Sequence, residues 1–539
     1  MVRKSVHSLG IWLLPFMVLA SIGLAVFALT FWVDASQNPD PLRVLLLIFH
    51  PNPVSAAATI SNAAEVVAAV LAIAITVVAI VVELSSNRYT HRITELFVGE
   101  PTNFAVMGLF VVTALQAVWT SLIFDDTPGP DAFIPYTSIV VTMLLLTSCL
   151  LILLPYFAYV FAFLNPLSIV ERIRKQTMKV ITHFRPGHHV SARHQEAVRG
   201  IEQLADVALN AMDHKDKRIS MASINALKRF FLDYRKHRER LSPAWFLIEG
   251  ELARNHDFVS MAPHIVKEVS KKGLWMEMKI LRQYQTLFNE AVGRMRDINY
   301  LIAINTRVIA ERAVKSGDDE LVQLCIRFFN TYVRATLNKP DVRTAYNVLN
   351  QYRLFAERAL SEGHDEHLIE IARYFKYYGQ ISFSRNLSFV LETVAYDLCS
   401  LNEQAYNSEH PAREKLLQIL LEVDRESETE AQEISLRGVR KAQIKLATYF
   451  LVNGKYELAK RIYEDMSAEP AERMASIRDE LLRTQSSEYW EISDRGINFD
   501  YLSPERRAKL EEFFSWFGQL RPPRPSIALR MIEPPSIKR

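Results

Sequence analysis

Cysteine is nearly absent from this chain, three in 539 residues, and glycine is scarce at 17. Cys149, Cys325 and Cys399 form no CxxC and no disulfide framework, which excludes a cystine-stapled secreted domain and a four-cysteine zinc module. Glycine-rich phosphate loops are missing as well: neither GxGxxG nor GxxxxGK[ST] occurs, and HExxH and GxSxG are also absent. The expectation is a protein that is not an enzyme and holds no cofactor, although an active site assembled from scattered residues would leave no such motif.

Charge is the other scarcity, and it is local. Residues 1–164 carry 5 Lys/Arg and 9 Asp/Glu, against 58 and 51 in the remaining 375 residues. The first part is too apolar to be soluble alone, and the second is too mildly basic for a dedicated nucleic-acid binder. Four apolar runs predict membrane spans at about 9–33, 57–82, 103–124 and 134–164. The first, Leu9–Val33, has 25 residues without a charge, longer than the roughly 30 Å hydrocarbon core at about 1.5 Å per residue. It is also longer than the h-region of a cleaved signal. Pro41–His50 contains Arg43 and is too short to cross, so it is expected in the interface.

Arg3 and Lys4, Arg88 and Arg92, and Arg172, Arg174, Lys175 and Lys179 flank the spans on one side, which predicts a multi-pass protein with cytoplasmic N- and C-termini. In the second span Ala58, Asn62, Glu65, Ala69, Ala72, Thr76, Ala79 and Glu83 recur at helical spacing. This small, polar face reads either as a packing seam or as the lining of an ion or proton pathway. Helical rise alone predicts a polar layer of Glu65, Gln116 and Thr142 about 12 Å below the outer surface.

Residues 165–199 form a basic amphipathic segment expected to continue the fourth helix or to lie beside the headgroups. Its histidines include His188, His189 and His194, weak candidates for a metal site because they lack the i, i+4 spacing of a zinc face; a solvated turn is the default.

Residues 72–119 (AIAITVVAIVVELSSNRYTHRITELFVGEPTNFAVMGLFVVTALQAVW) and 200–230 (GIEQLADVALNAMDHKDKRISMASINALKRF) resemble a family of predicted bacterial membrane proteins of unknown function. The resemblance spans about residues 1–235 and implies a bacterial inner-membrane setting but no activity. A Ser-Pro…Asn-Asp-Pro turn of that family is replaced here by Met212, Asp213, His214, Lys215 and Asp216.

From Gly200 onward apolar residues recur at helical spacing, predicting an all-α region over 200–520. AERAVKSGDDE (310–320) returns as AERALSEGHDE (356–366), 46 residues later. Gly273, Gly317, Gly363, the turn near 407–414 and Gly454 recur at intervals of about 44–46 residues. A cytoplasmic α-solenoid of helix-turn-helix repeats is the expectation, with an irregular all-α domain as the alternative. Residues 445–466 resemble a tetratricopeptide unit through Leu446, Ala447, Phe450, Gly454, Tyr456, Ala459 and Tyr463. The cluster Arg373–Tyr378 is read as core packing or a ligand surface, and the Pro-rich tail 521–539 as extended.

The sequence therefore predicts an all-α protein: a four-helix transmembrane domain (1–164) and a helical-repeat platform that binds a cytoplasmic protein partner or itself. No nucleic-acid partner is expected, and a homo-oligomer is possible. The alternative is an oligomeric channel or transporter with the Glu65 face lining the conduit.

Overall fold

A computed structural model describes residues 2–36, 53–88, 92–124, 135–182, 190–424, 430–488, 495–496 and 498–518. All regular structure among them is helical. The chain divides into two compact units, Met1–Ile173 and Arg174–Arg539.

The first unit contains α1 (Val2–Ser36), α2 (Pro53–Arg88), α3 (Arg92–Val98), α4 (Pro101–Leu122) and α5 (Tyr136–Phe163), and α6 (Pro166–Thr182) runs across the division. Ser55–Asn87, Pro101–Leu122 and Tyr136–Phe163 are each long and apolar enough to cross a membrane. The expected first span falls within α1, where the described side chains give a shorter apolar stretch, Met17–Val33. Pro41–His50 lies outside the described residues. Helix α2 packs on α4, α4 on α5, and α1 on α5. Helix α5 continues through Pro155 and ends at Leu164. A new helix starts at Pro166, where the Asn165 side chain accepts the Leu167 amide at 3.0 Å. The basic segment is therefore a separate helix and not a continuation of the fourth span, because Pro166 has no amide to extend the preceding ladder.

After the end of α6, the second unit continues with α7 (Val190–Asp213) and α8 (Lys217–His237), followed by the short α9 (Gly250–Ala253), α10 (His256–Val259) and α11 (Pro263–Lys271). At Gly200 a Cβ would stand 1.9 Å from Thr177 Oγ1, so α6 and α7 cross at a distance only glycine permits. Then come α12 (Trp275–Ala291), α13 (Arg296–Ser316), α14 (Asp319–Asn338), α15 (Val342–Ser361), α16 (Asp365–Ser384) and α17 (Ser388–Asn407). From α12 to α17 each helix packs against the next and the next but one. The remainder is α18 (Arg413–Leu421), α19 (Glu430–Val452), α20 (Tyr456–Asp465), α21 (Ala471–Arg483), α22 (Pro504–Ala508) and α23 (Leu510–Ser515).

Gly273, Gly317, Gly363 and Gly454 have φ of 66°, 65°, 77° and 69°, and at the intervening turn Glu409 takes 49°. Each turn closes in the same way: the residue after it donates to a carbonyl five positions back, as in Asp318 N to Ala313 O (3.0 Å), His364 N to Ala359 O (2.9 Å) and His410 N to Ala405 O (2.8 Å). Between these turns, buried rings bridge helices that are adjacent or next but one in the chain. Phe288 stacks on Tyr332 at 4.6 Å, Phe329 on Tyr352 at 4.7 Å, and Tyr352 meets Phe375 edge-on at 5.1 Å. Burying each such ring is worth about 1.5–3 kcal/mol, which drives helix pairs to stack. Within Arg373–Tyr378, Phe375 and Tyr378 are buried while Arg373 and Tyr377 are exposed.

Candidate functional site

In the first unit the polar residues of α4 and α5 pair along one seam. Tyr156 Oη donates to Asn103 Oδ1 at 3.3 Å, Thr113 Oγ1 lies 3.2 Å from Cys149 Sγ, and Thr120 Oγ1 lies 3.4 Å from Thr142 Oγ1. The α5 members are seven residues apart, as expected of two helices meeting along one stripe. Gln116 joins the Thr120–Thr142 pair by donating to Thr120 Oγ1 at 3.3 Å.

Glu65 does not join this layer, which corrects the expected Glu65–Gln116–Thr142 arrangement. Ala56, Ile60, Ala63, Val67, Ala74, Val78 and Val82 form the buried face of α2, whereas Glu65 is exposed. Rise along the helix gave the level, but two residues turn it by about 200°, so Glu65 points away from the face bearing Ala63 and Val67. The whole stripe Ala58, Asn62, Glu65, Ala69, Ala72, Thr76, Ala79 and Glu83 is exposed.

His194, a weak metal candidate expected in a solvated turn, is instead buried within α7. Its Nε2 donates to Trp245 O at 2.9 Å, and Trp275 Nε1 donates to the same carbonyl at 2.7 Å. The imidazole packs edge-on against Trp245 and Trp275 at 4.9 and 5.0 Å, and burial lowers its pKa, opposed by the hydrogen bond to Trp245. His188 and His189 lie outside the described residues.

Nearby, Lys279 Nζ is fully buried and meets Glu202 Oε1 and Asp257 Oδ2, each at 2.5 Å, and Asn255 Oδ1 at 3.0 Å. Gln283 and Arg282 also donate to Asp257, at 2.9 and 3.2 Å. The ammonium occupies the centre of a carboxylate group that could otherwise attract a metal ion. Cys149, Cys325 and Cys399 are all buried and unpaired.

One polar arrangement in the second unit had no counterpart in the sequence analysis. Arg495, Phe499 and Asp500 contact α15, α17 and α19, three helices that each begin a repeat. Arg495 donates to both oxygens of Asp397, one at 3.2 Å, and to Tyr346 O at 3.1 Å, with its guanidinium 4.3 Å from the Tyr346 ring centroid. Arg495 and Asp397 are 5% and 2% exposed, so this pair is cut off from water. Burial pushes the Asp397 carboxyl up, while Arg495 and Arg353 pull it back.

Phe499 stacks on Tyr396 at 4.4 Å, Asp500 pairs with Lys441 at 2.8 Å and accepts from Tyr396 at 3.1 Å, and Lys445 donates to Phe499 O at 3.1 Å. Local sequence fixes the segment at both ends: Gly496 takes φ 64°, Asn498 Oδ1 accepts the Asp500 amide at 3.1 Å, and Ser503 caps α22. Arg506 then clamps both oxygens of Glu403 at 2.8 and 2.7 Å. The one local signal was Ser503-Pro504-Glu505, a helix start; partners about a hundred residues away leave no trace in periodicity.

Three helices long and apolar enough to cross a membrane, with the rest of the described regular structure also helical, are the features of a helical membrane protein. Residues 9–218 match the family model described as predicted membrane protein (DUF2254), which bears out the resemblance read in residues 72–119 and 200–230. No curated protein matches the chain. Among solved structures, a circular tandem repeat protein with novel repeat topology and enhanced subunit contact surfaces is similar at 16% identity, covering 88% of this chain and 95% of its own, with a TM-score of 0.24.

Proposed function

We propose that the protein is a four-span bacterial inner-membrane scaffold, with both termini cytoplasmic, whose helical stack is a solenoid that binds extended segments of protein partners. It carries out no reaction of its own in this reading. The supporting observation is that the face of α15, α17 and α19 already holds a non-helical piece of this chain, by a buried arginine–aspartate pair, an aromatic stack and a lysine-bound aspartate. A helical-repeat surface recognises peptides by such side-chain pockets.

The test uses the full-length chain in detergent. An Arg495→Ala/Phe499→Ala variant should expose the face and bind a labelled peptide of residues 493–503, whereas the parent binds it poorly. Adding Asp397→Asn should abolish capture. A double variant that keeps its helicity yet ignores the peptide refutes the reading.

The exposed stripe on α2 favours a second reading, self-assembly of the span unit through that face. A carboxylate facing lipid is costly, and a second copy would cover it. Glu65 lies ten residues, about 15 Å of helix, inside the Ser55 end of the apolar helix Ser55–Asn87. A cysteine at Ala69 should cross-link copies in proteoliposomes, and exclusively monomeric product would eliminate this reading. Ion flux that disappears in Glu65→Gln would revive the conduit.

A further inference from the structure

A cluster in the second unit has the chemistry of a metal site. Asp319 is the first residue of α14, while His364 and His367 flank the start of α16, three residues apart and thus on one side of the helix. Asp319 Oδ1 lies 3.1 Å from His367 Nε2 and 3.5 Å from His364 Nδ1, and one ligand atom from each residue falls within 4.8 Å of the others. A tetrahedral ion with bonds of roughly 2.0–2.1 Å holds its ligand atoms about 3.3 Å apart. The two edges from Asp319, 3.1 and 3.5 Å, bracket that spacing.

The repeat supplies an internal comparison. Forty-six residues further on, Asp365 Oδ1 lies 3.3 Å from His410 Nε2, so an aspartate–histidine pair between neighbouring repeats recurs as an ordinary contact. Only the earlier interface adds a second imidazole: the position answering to His367 is Arg413 in the next repeat and Leu321 in the previous one. The histidine side chains are 21% and 15% exposed and that of Asp319 is 67% exposed, so the rings are held while the carboxylate side stays open to an incoming ion. The other group of similar composition, Glu202, His256 and Asp257, already has the Lys279 ammonium between its carboxylates.

We propose that Asp319, His364 and His367 bind a divalent transition-metal ion of the zinc class, with the fourth position open to solvent. Two imidazole nitrogens and one carboxylate suit Zn²⁺ or Co²⁺ and offer too few oxygens for Ca²⁺ or Mg²⁺. Because its ligands come from α14 and α16, the ion ties one repeat to the next.

The full-length chain in detergent, titrated with Co²⁺, should show the visible absorption of a tetrahedral site at one equivalent, displaced by Zn²⁺. Affinity should fall roughly tenfold or more in His367→Ala and in Asp319→Asn, and persist in His410→Ala, with circular dichroism confirming that each variant is folded. Lack of a tetrahedral cobalt spectrum in the parent overturns the proposal. So does a spectrum that is undiminished in His367→Ala.

Discussion

Glu409 occupies, at φ 49°, the backbone position that Gly363 holds at φ 77° one 46-residue repeat earlier. The left-handed region costs a residue with a Cβ roughly 1–2 kcal/mol, and glycine relieves that cost. Glu409→Gly should therefore stabilise the chain by about 1 kcal/mol, read as a higher melting temperature by circular dichroism. A lower one would mean that the Glu409 side chain makes a contact worth more than the strain.

Gly200 makes the opposite prediction. Its missing Cβ is what lets Thr177 approach, so Gly200→Ala should destabilise by about 1–3 kcal/mol through overpacking. Thr177→Ala in the same chain should restore part of the loss. A double variant no more stable than Gly200→Ala alone would show that the strain lies elsewhere.

Lys279→Met removes the ammonium that Glu202 and Asp257 share. Breaking a buried pair from one side costs about 3–5 kcal/mol, so a large loss of stability is expected in thermal melts. Asp257→Asn in the Lys279→Met background should recover some of it. A melt unchanged by Lys279→Met would show the cluster to be well solvated.

Glu392 gives the stack a pH dependence. Burial pushes its carboxyl from 4.5 up to about 7; Asp500 and Glu480 push the same way and Lys441 opposes them. The folded chain therefore holds more protons than the unfolded chain between those two values. The Glu392 contribution to stability is fully present below pH 4.5 and is lost as pH rises through about 7. Glu392→Gln should remove a pH-dependent difference on the order of 1–3 kcal/mol, measured by denaturation at pH 5 and pH 8. Parallel curves for parent and variant would rule out this titration.

What was legible in the sequence follows from periodicity. Long uncharged runs marked the helices that can cross a membrane, and recurring glycines marked the turns, because each rests on a pattern local to a few residues. Rotational phase was less visible: the level of Glu65 came from rise, but which side of α2 packs is decided by Ala63, Val67 and Ala74 against α4 and α5. The grip of Asp397 on Arg495 and the meeting of Asp319 with His367 join distant positions, which no local spacing encodes. His194 misled for a related reason, since its neighbours in sequence are polar but its neighbours in space are Trp245 and Trp275.

The burial of all three native thiols has a practical corollary. Cys325 and Cys399 are held protonated by their surroundings, and Cys149 lies inside the α4–α5 seam. Maleimide probes and spin labels react with accessible thiolate, so a cysteine engineered onto any exposed helix will be modified well before the resident three. Distance measurements along the chain can begin from the wild-type background, without first constructing a cysteine-free parent.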